Sequence, residues 1–451
     1  METSKPFTAV YIPLAVGTFH LESAKALFDA SKKLLTSIVP ETITPPDMLL
    51  SLEDLQAFLD SIPPIQHFLV LQNLTFANAA YPHAVLQRSS APLVLWTLRE
   101  AEGDGGRLKL NSLTGSFSAA NAVQTVRRRP VDFILGNPDE KATEGFLRAA
   151  FSAAKLRFQL QSVHIAQIGH APQGFSFGEA TEHELSKAFG CRLVKIEARE
   201  LMEKARSETP AAAQTYLAAV KEHISGLDLL PEKNVLDFAR LYKAYSDFVH
   251  KEKIAALSSR CWPDFFVDYG TPVCAVLSLL NAEGISSSCE GDSWGALSMY
   301  IASQLSGKAS FFGDPVALSQ EENTLTFWHC GMAACSLARK DTGPQAGVHP
   351  NRKIGPTMEF GCESAEKATV FRIGKDGQGN FRFFLLKGKI LDKPRQFLGT
   401  SLVFQPEGNA KEIVEQAVTN GWEPHFVIAY GDIEQEIRLL AHFYGIPIFT
   451  F

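Results

Sequence analysis

Short apolar segments recur along this sequence up to about residue 345, and helix-length segments separate them. Members of the first series lie at 9–16, 67–72, 92–98 and 131–136, and those of the second at 163–169, 191–196, 256–262, 285–290, 309–312 and 324–329. These runs are rich in branched residues and almost continuously apolar, as strands buried on both faces of a parallel sheet are. The alternation predicts the α/β fold class, with two doubly wound parallel-sheet domains over residues 1–155 and 156–345.

The pattern changes beyond about residue 346. Shorter and more polar strand-like segments follow one another at 356–362, 368–375, 380–391 and 401–405, and helical spacing returns only at 410–420 and 432–444. Strands in succession are typical of an antiparallel sheet or a small barrel. We therefore predict a third, β-rich and barrel-like domain over residues 346–451.

Composition narrows the functional classes. The 451-residue chain carries a formal net charge of −6, which argues against nucleic acid as a partner because phosphate binding requires a concentrated basic surface. Its seven cysteines have no CxxC spacing, so buried free thiols in a reducing compartment are expected. No positive leader and no apolar run of membrane-spanning length is found, and we predict a cytoplasmic protein without a membrane partner.

Two acidic residues stand where the apolar segment 285–290 ends. Glu290 and Asp292 flank Gly291, and a helical pattern with Leu297 and Ile301 on one face follows at once. Two interpretations stay open at this point. Acidic residues cap helix starts for structural reasons alone, and the carboxyl ends of strands in α/β proteins are also where ligands bind.

Three further residues stand at the ends of apolar segments and share this ambiguity. Asp314 ends ASFFGD, His329 lies in LTFWHC, and His425 precedes FVIAY. Two carboxylates and one or two histidines can converge on a divalent cation such as Mn²⁺, with Mg²⁺, Co²⁺ or Fe²⁺ as alternatives. Equally, Asp314 before Pro315 can begin a turn, and either histidine can be a hydrogen-bonded core residue.

Four segments in this order and at these intervals resemble the metal-site segments of the L-fucose isomerase and L-arabinose isomerase superfamily, in particular its shorter fucose-isomerase-like group. They are EGDSWGALSM from Glu290, FFGD ending at Asp314, WHCG with His329 and PHFVI with His425. The segments LWTLRE, NSLTGSFSAANAV and IGHAPQGFSFGEATEHELSKAFG resemble the same group. The resemblance covers most of the chain and thins in the third domain.

The resemblance implies a metal-dependent aldose–ketose isomerase that acts on a monosaccharide through an enediolate, in homo-oligomers whose active sites lie near subunit interfaces. By resemblance, Glu290, Asp314 and His425 are the metal ligands, His329 is a further ligand, and Mn²⁺ is the expected cofactor. Glu290 and Asp314 are also the expected acid/base pair, because a carboxylate beside a polarised carbonyl can remove the α-proton.

The substrate is less constrained, because the chain is shorter than classical fucose isomerases. By resemblance to the short group, an anionic sugar such as sulfoquinovose is one candidate, and a deoxy or pentose sugar is another. Residues that could contact the sugar are Trp96, Asn111, Trp262 and Trp294, although large rings are commonly core residues. Side chains that could hold an anionic group are Arg99, Arg127, Lys308, Arg352 and Lys353.

Two other functions remain open from the sequence. A sugar-binding or regulatory protein can keep the same architecture without chemistry, since fold does not determine function. A glycosidase would use paired carboxylates, but it would leave the two histidines without a role.

Overall fold

The structure, a computed structural model, describes residues 6–63, 67–103 and 105–451, and in it the chain divides into two compact units. The first unit comprises the described residues up to Phe158 together with Gln435–Gly445, and the second comprises Gln159–Glu434 and Ile446–Phe451. None of the helices in these described ranges combines the length and apolar character that crossing a bilayer requires.

The first unit is built on a four-stranded parallel sheet. Its strands, in spatial order β1-β2-β3-β4, are β1 (Ala9–Leu14), β2 (Phe68–Asn73), β3 (Leu93–Thr97) and β4 (Asp132–Leu135). The helices of this part of the chain are α1 (Leu21–Ile38), α2 (Leu52–Ser61), α3 (Ala80–Arg88), α4 (Ser112–Arg127) and α5 (Lys141–Leu160). Every residue of β1, β2 and β3 is buried, as their apolar sequences require.

A second parallel sheet follows in the second unit, in spatial order β6-β5-β7-β8. Its strands are β5 (His164–Ile168), β6 (Arg192–Ile196), β7 (Ile254–Ser259) and β8 (Ser286–Cys289). The helices are α6 (Glu182–Phe189), α7 (Ala198–Ser207), α8 (Pro210–Lys221), α9 (Glu232–Glu252), α10 (Cys274–Ala282) and α11 (Ser293–Ser306). The strand order reverses between β5 and β7, the arrangement that creates a crevice at the carboxyl ends of open α/β sheets.

The rest of the chain forms a nine-stranded mixed sheet, in order β11-β12-β15-β10-β9-β16-β13-β14-β17, with a further β14–β15 pairing. Its strands are β9 (Phe311–Ser319), β10 (Thr324–His329), β11 (Gln345–Gly347), β12 (Thr357–Gly361), β13 (Ala365–Lys375), β14 (Phe381–Leu391), β15 (Thr400–Pro406), β16 (Phe426–Tyr430) and β17 (Ile448–Thr450). The two remaining helices are α12 (Ala410–Thr419) and α13 (Glu434–Tyr444). The predicted fold class, with parallel α/β sheets followed by a β-rich part, is confirmed.

One detail of the prediction is wrong. We placed the segments 309–312 and 324–329 in the second α/β domain, whereas they form β9 and β10 of the nine-stranded sheet. The connection over residues 320–323 is too short for a crossover, so the two strands pair antiparallel. They then bond to β15 and β16 from the C-terminal part. The division into three domains at 155 and 345 stays a prediction.

Helix α11 lies between the second parallel sheet and the nine-stranded sheet. It packs against β7 and β8 on one side and against β13 and β16 on the other. All its residues from Ser293 to Ala302 are buried, which explains why small and apolar residues occur all round this helix. Asp292 caps its start, and Gly307, with a φ of 69°, ends it.

Truncating the buried face of α11 tests this packing. Ile301 has no exposed surface, so Ile301→Ala leaves a cavity and should lower the free energy of unfolding by about 2–5 kcal/mol. The measurement is urea unfolding. Val418→Ala on α12, where the side chain is 74% exposed, is the control and should change stability by no more than about 0.5 kcal/mol. Equal effects of the two substitutions would contradict the buried position of α11.

Candidate active site

Glu290 follows β8 directly, in a conformation that few residues of its type adopt. Its φ is 58°, and Gly291 has a φ of 70°. A Cβ at Gly291 would lie 2.8 Å from the Cα of Ala171, so only glycine permits this close approach to the loop after β5. Left-handed conformations at non-glycine residues cost free energy and cluster at functional sites. The chain thus turns sharply here and projects the Glu290 carboxylate from the end of the sheet.

Two side chains hold the Glu290 carboxylate. The indole Nε1–H of Trp262 donates to Oε1 at 2.9 Å, and Nε2 of His425 lies 3.1 Å from Oε2. The Glu290 side chain keeps 17% exposure, whereas that of His425 is 2% exposed. The carboxylate is therefore oriented by the protein and still accessible to a small ligand.

His425 joins the nine-stranded sheet to this strand end. It precedes β16, and its Nδ1 lies 2.9 Å from Oδ2 of Asp292. Because an ionised carboxylate only accepts hydrogen bonds, Nδ1 carries a proton and donates to Asp292. This bond turns Nε2 toward Glu290 and also to within 3.5 Å of Oδ1 of Asp314. A carboxylate that fixes the imidazole in this way is typical of histidines that bind metals.

Asp292 is the most heavily bonded side chain of the cluster. It caps α11 by accepting the N–H of Gly295 at 2.7 Å, which agrees with the capping interpretation. It also receives two bonds from the guanidinium of Arg372, at 2.5 and 3.0 Å. Arg372 and Asp292 are both almost completely buried, with side-chain exposures of 0% and 1%. Asp292 therefore positions His425 rather than facing a ligand.

His329 and Asp314 complete the cluster from the antiparallel pair β9 and β10. The N–H of Cys330 donates to Nδ1 of His329 at 3.0 Å, so the ring proton is on Nε2, and this nitrogen becomes a ligand atom when a cation displaces that proton. That Nε2 is buried and has no hydrogen-bond partner among the residues the structure describes. Asp314 lies within β9 opposite Trp328, which excludes the interpretation that Asp314 and Pro315 begin a turn.

The donor atoms of Glu290, His329 and His425 all lie within 4.8 Å of one another, and Asp314 is adjacent through His425. Two carboxylates and two imidazoles, one of which has a buried nitrogen without a partner among the described residues, form a donor set that fits a divalent cation of intermediate hardness. The sequence-predicted residues Glu290, Asp314, His329 and His425 are thus brought together.

Charges in the cluster displace the pKa values in both directions. Burial acts to raise the pKa of Glu290, but the hydrogen bond with His425 and the charge of His329 outweigh it and lower it to about 2. Burial likewise opposes ionisation of Asp292, yet the charge of Arg372 and the bond to His425 hold its pKa well below the usual range. Asp314 differs, because burial raises its pKa and the two histidines do not fully offset this.

The histidines respond to the same charges. Burial favours the neutral imidazole of His425, but the hydrogen bonds with Asp292 and Glu290 raise its pKa to about 9. Burial also acts against a charged His329, whereas Cys330 and the Asp314 carboxylate raise its pKa to about 9. With no cation bound, both rings therefore hold a proton at neutral pH, and a cation must displace those protons.

The four predicted sugar-contacting residues lie in different surroundings. Trp262 is half-buried beside Glu290. Trp294 is 1% exposed, and its Nε1–H donates to the carbonyl of Glu179 at 2.9 Å. Trp96 and Asn111 belong to the first unit, where Trp96 has no exposed surface and donates to the carbonyl of Gly136. Rings this deeply buried pack as core residues in this structure, and the sugar contacts predicted for Trp96 and Trp294 stay predictions.

Sequence reasoning missed Arg372 and three phenylalanines. Arg372 stands in the apolar strand sequence ATVFRIG, where a lone arginine signals a buried carboxylate partner. The rings of Phe177 and Phe312 lie 5.3 and 4.8 Å from the ring of His425, and Phe175 contacts Trp262 edge-on at 5.7 Å. Nothing local in the sequence distinguishes these phenylalanines from core residues.

Removing Arg372 should be costly. In Arg372→Met the Asp292 carboxylate stays buried without its strongest partner, so the free energy of unfolding should fall by about 3–5 kcal/mol in a urea titration. Lys411→Met is the matched control, because Lys411 and Glu415 form an exposed ion pair at 3.7 Å whose loss should change stability little. A stable Arg372→Met variant would contradict the positioning role of this pair.

The raised pKa values of His329 and His425 predict a pH dependence in chelated protein. Each histidine has a pKa of about 9 in the folded protein, above its ordinary value of 6.5. The stabilisation from its protonation is therefore fully present below pH 6.5 and is lost as the pH rises through 9. The free energy of unfolding in EDTA should therefore decline between pH 6.5 and 9. His425→Gln should flatten that slope, and an unchanged slope in this variant would count against a protonated His425.

No family model matches the chain, but relatives over its full length are found. It is 53% identical to the sulfoquinovose isomerase of Clostridium sp. (strain MSTE9) over 96% of this chain and 97% of that protein. It is 36% identical to the sulfoquinovose isomerases of Alkalicoccus urumqiensis, over 98% of both chains, and of Priestia aryabhattai, over 95% of this chain and 96% of that protein.

These relatives are all named isomerases, which favours the catalytic interpretation over a sugar-binding protein without chemistry. Identities of this size extend over almost the whole length of the chain and so cover both units. The chain is an isomerase and belongs to the sulfoquinovose isomerase family.

Proposed function

We propose that this protein interconverts sulfoquinovose, a sulfonated aldose, and the corresponding ketose through an enediolate, with Glu290 and Asp314 as the acid/base pair. The observation that carries the proposal is the convergence of Glu290, Asp314, His329 and His425 in a chain that is 53% identical to a sulfoquinovose isomerase. Aldose–ketose isomerisation requires a base and an acid on one substrate and stabilisation of the developing oxyanion.

The two carboxyl groups are suited to different roles in the proton transfer, Glu290 as the base and Asp314 as the acid. With no cation bound, the pKa of Glu290 is about 2, so this group is ionised and can accept the α-proton. The pKa of Asp314 is raised by burial, so Asp314 holds a proton more readily and can donate it. Environments that push the pKa values of two neighbouring acids apart commonly mark an acid/base pair.

We further propose that Glu290, Asp314, His329 and His425 hold a divalent cation, Mn²⁺ foremost, with Mg²⁺ or Co²⁺ as alternatives. The unpartnered Nε2 of His329 and the orientation of His425 by Asp292 support this assignment. Bound there, such a cation supplies electrophilic polarisation of the sugar carbonyl. Trp262 holds Oε1 of Glu290 in place, and the rings of Phe175 and Phe177 pack against Trp262 and His425.

The remaining parts of the proposal depend on the sequence resemblance. The segments around Glu290, Asp314, His329 and His425 support membership of the wider L-fucose and L-arabinose isomerase superfamily and assembly into a homo-oligomer. A cytoplasmic location is supported by the seven cysteines, none of which is paired in a disulfide and six of which are buried.

The first test is the activity itself. Purified protein should convert sulfoquinovose to its ketose, lose activity on chelation, and recover most of it with Mn²⁺. Exchange of the substrate α-proton with solvent, followed by NMR in D₂O, detects the enediolate directly. Absence of ketose from sulfoquinovose with Mn²⁺ present would refute the proposed reaction.

The second test removes the base. Glu290→Gln should fold normally but lower kcat by about 10²–10⁴-fold and abolish α-proton exchange, because the amide cannot accept the proton. Glu321→Gln in the exposed turn between β9 and β10 is the matched control and should keep wild-type turnover. Full turnover by Glu290→Gln would assign proton transfer to another residue.

A further inference from the structure

Arg352 presents a cationic group without an anionic partner close to the candidate active site. Its guanidinium carbon lies 5.1 Å from the ring centroid of Trp262 and 4.9 Å from that of Phe266. Among the residues that the structure describes, none forms an ion pair or hydrogen bond with this guanidinium. The side chain is half-buried, so its position is fixed by two aromatic faces while its donors stay available.

The turn that carries Arg352 is held firmly. Lys353 N–H donates to the carbonyl of His349 at 2.9 Å, and the N–H groups of Asn351 and Arg352 approach Nδ1 of His349 at 3.3 and 3.4 Å. The His349 ring is itself buried and packs edge-on against Phe266, with centroids 5.0 Å apart. The guanidinium therefore extends from a rigid turn rather than from a free loop.

Trp262 connects this cation to the reacting end of the site. The edge of its indole donates to Glu290, and its face supports Arg352, so one indole ring separates the guanidinium from the proposed base. In an open-chain six-carbon sugar, C1 and C2 react at one end while a group on C6 lies at the other. If C2 of such a sugar lies beside Glu290, its C6 substituent can extend past Trp262 toward Arg352.

Other cations that could serve are engaged or lie elsewhere. Arg260 pairs with Asp264 at 2.8 Å, and Lys375 pairs with Glu184 at 2.5 Å. Arg99 pairs with Glu140 at 2.7 Å in the first unit, which also contains Arg127. Lys353 is exposed. In the part of the chain that the structure describes, Arg352 is thus the unpaired guanidinium that lies over Trp262, the ring that donates to Glu290.

We propose that Arg352, seated on Trp262 and Phe266, forms an anion subsite that binds the sulfonate of the substrate and so selects a C6-sulfonated sugar over its neutral counterpart. The proposal rests on the proposed isomerase function. A planar guanidinium offers parallel N–H donors that match two oxygens of a tetrahedral oxyanion, which an ammonium group cannot do. The carboxylates of the cluster repel an anion, so a nearby cation is needed to admit one.

Kinetics with a sugar pair measure the selectivity. Sulfoquinovose and D-glucose differ only at C6, and the ratio of their kcat/KM values should fall about 10- to 100-fold in Arg352→Gln, the range for losing a charged hydrogen bond. The loss should appear mainly in the KM for sulfoquinovose, because the contact is made before and during reaction. Arg352→Lys should give an intermediate ratio. Lys340→Gln, at an exposed cation in the preceding connection between β10 and β11, should match wild type.

Salt dependence and direct binding separate this role from a structural one. The KM of wild type for sulfoquinovose should rise with NaCl concentration, and that of Arg352→Gln should not. A variant that loses activity on both sugars equally, or whose KM for sulfoquinovose is unchanged while wild type converts this sugar, would overturn the subsite and leave the isomerase function intact.

If wild type fails to convert sulfoquinovose, the proposed function is refuted. The anion subsite can still be tested by binding alone. In that case, calorimetric titration of sulfoquinovose and of D-glucose into wild type and into Arg352→Gln measures the affinity of each protein for each sugar. The proposal requires tighter binding of sulfoquinovose by wild type and loss of that preference in the variant. Equal affinities in the two proteins, or no binding to wild type, would refute it.

Discussion

The buried ion pair between Arg372 and Asp292 is the interaction on which the candidate site depends. Asp292 follows the last strand of the second parallel sheet, and Arg372 lies in β13 of the nine-stranded sheet. A desolvated carboxylate is tolerable only when its oxygens are fully bonded, and Asp292 meets this condition with Gly295, Arg372 and His425. The same carboxylate therefore caps α11, ties the two sheets together and fixes the imidazole of His425.

Starting from this pair, each side chain of the cluster is oriented by the one behind it. Arg372 fixes Asp292, Asp292 fixes the proton on Nδ1 of His425, and Nε2 of His425 then faces Glu290 and Asp314. Trp262 restrains Glu290 from the other side and also supports Arg352. The arrangement places a protein-bonded group behind Glu290, His425 and Arg352, which is how sites reduce the cost of reorganisation.

Part of this site could be predicted from the sequence. Glu290 and Asp292 stand at a strand end followed by a helix, and that local pattern indicated both a capping residue and a candidate ligand. Asp314, His329 and His425 were reached by resemblance, and the fold brings them to Glu290. Arg372 was not found, because its partner is 80 positions away in the sequence and no local pattern links them. For Trp96 and Trp294, whose rings are buried, residue type alone does not distinguish a core aromatic from a ring that stacks on a sugar.

By itself, the sequence determined what depends on neighbouring residues: the alternation of buried strands with helices, the capped start of α11, and the change to successive strands in the C-terminal part. These features are local because hydrophobic period and capping act over a few residues. Only the tertiary structure decided that β9 and β10 join the C-terminal strands, that Asp292 holds a histidine 133 positions away, and that Arg352 lies over Trp262. Those contacts join segments far apart in the chain, and strand pairing and side-chain packing select them only when the whole unit folds.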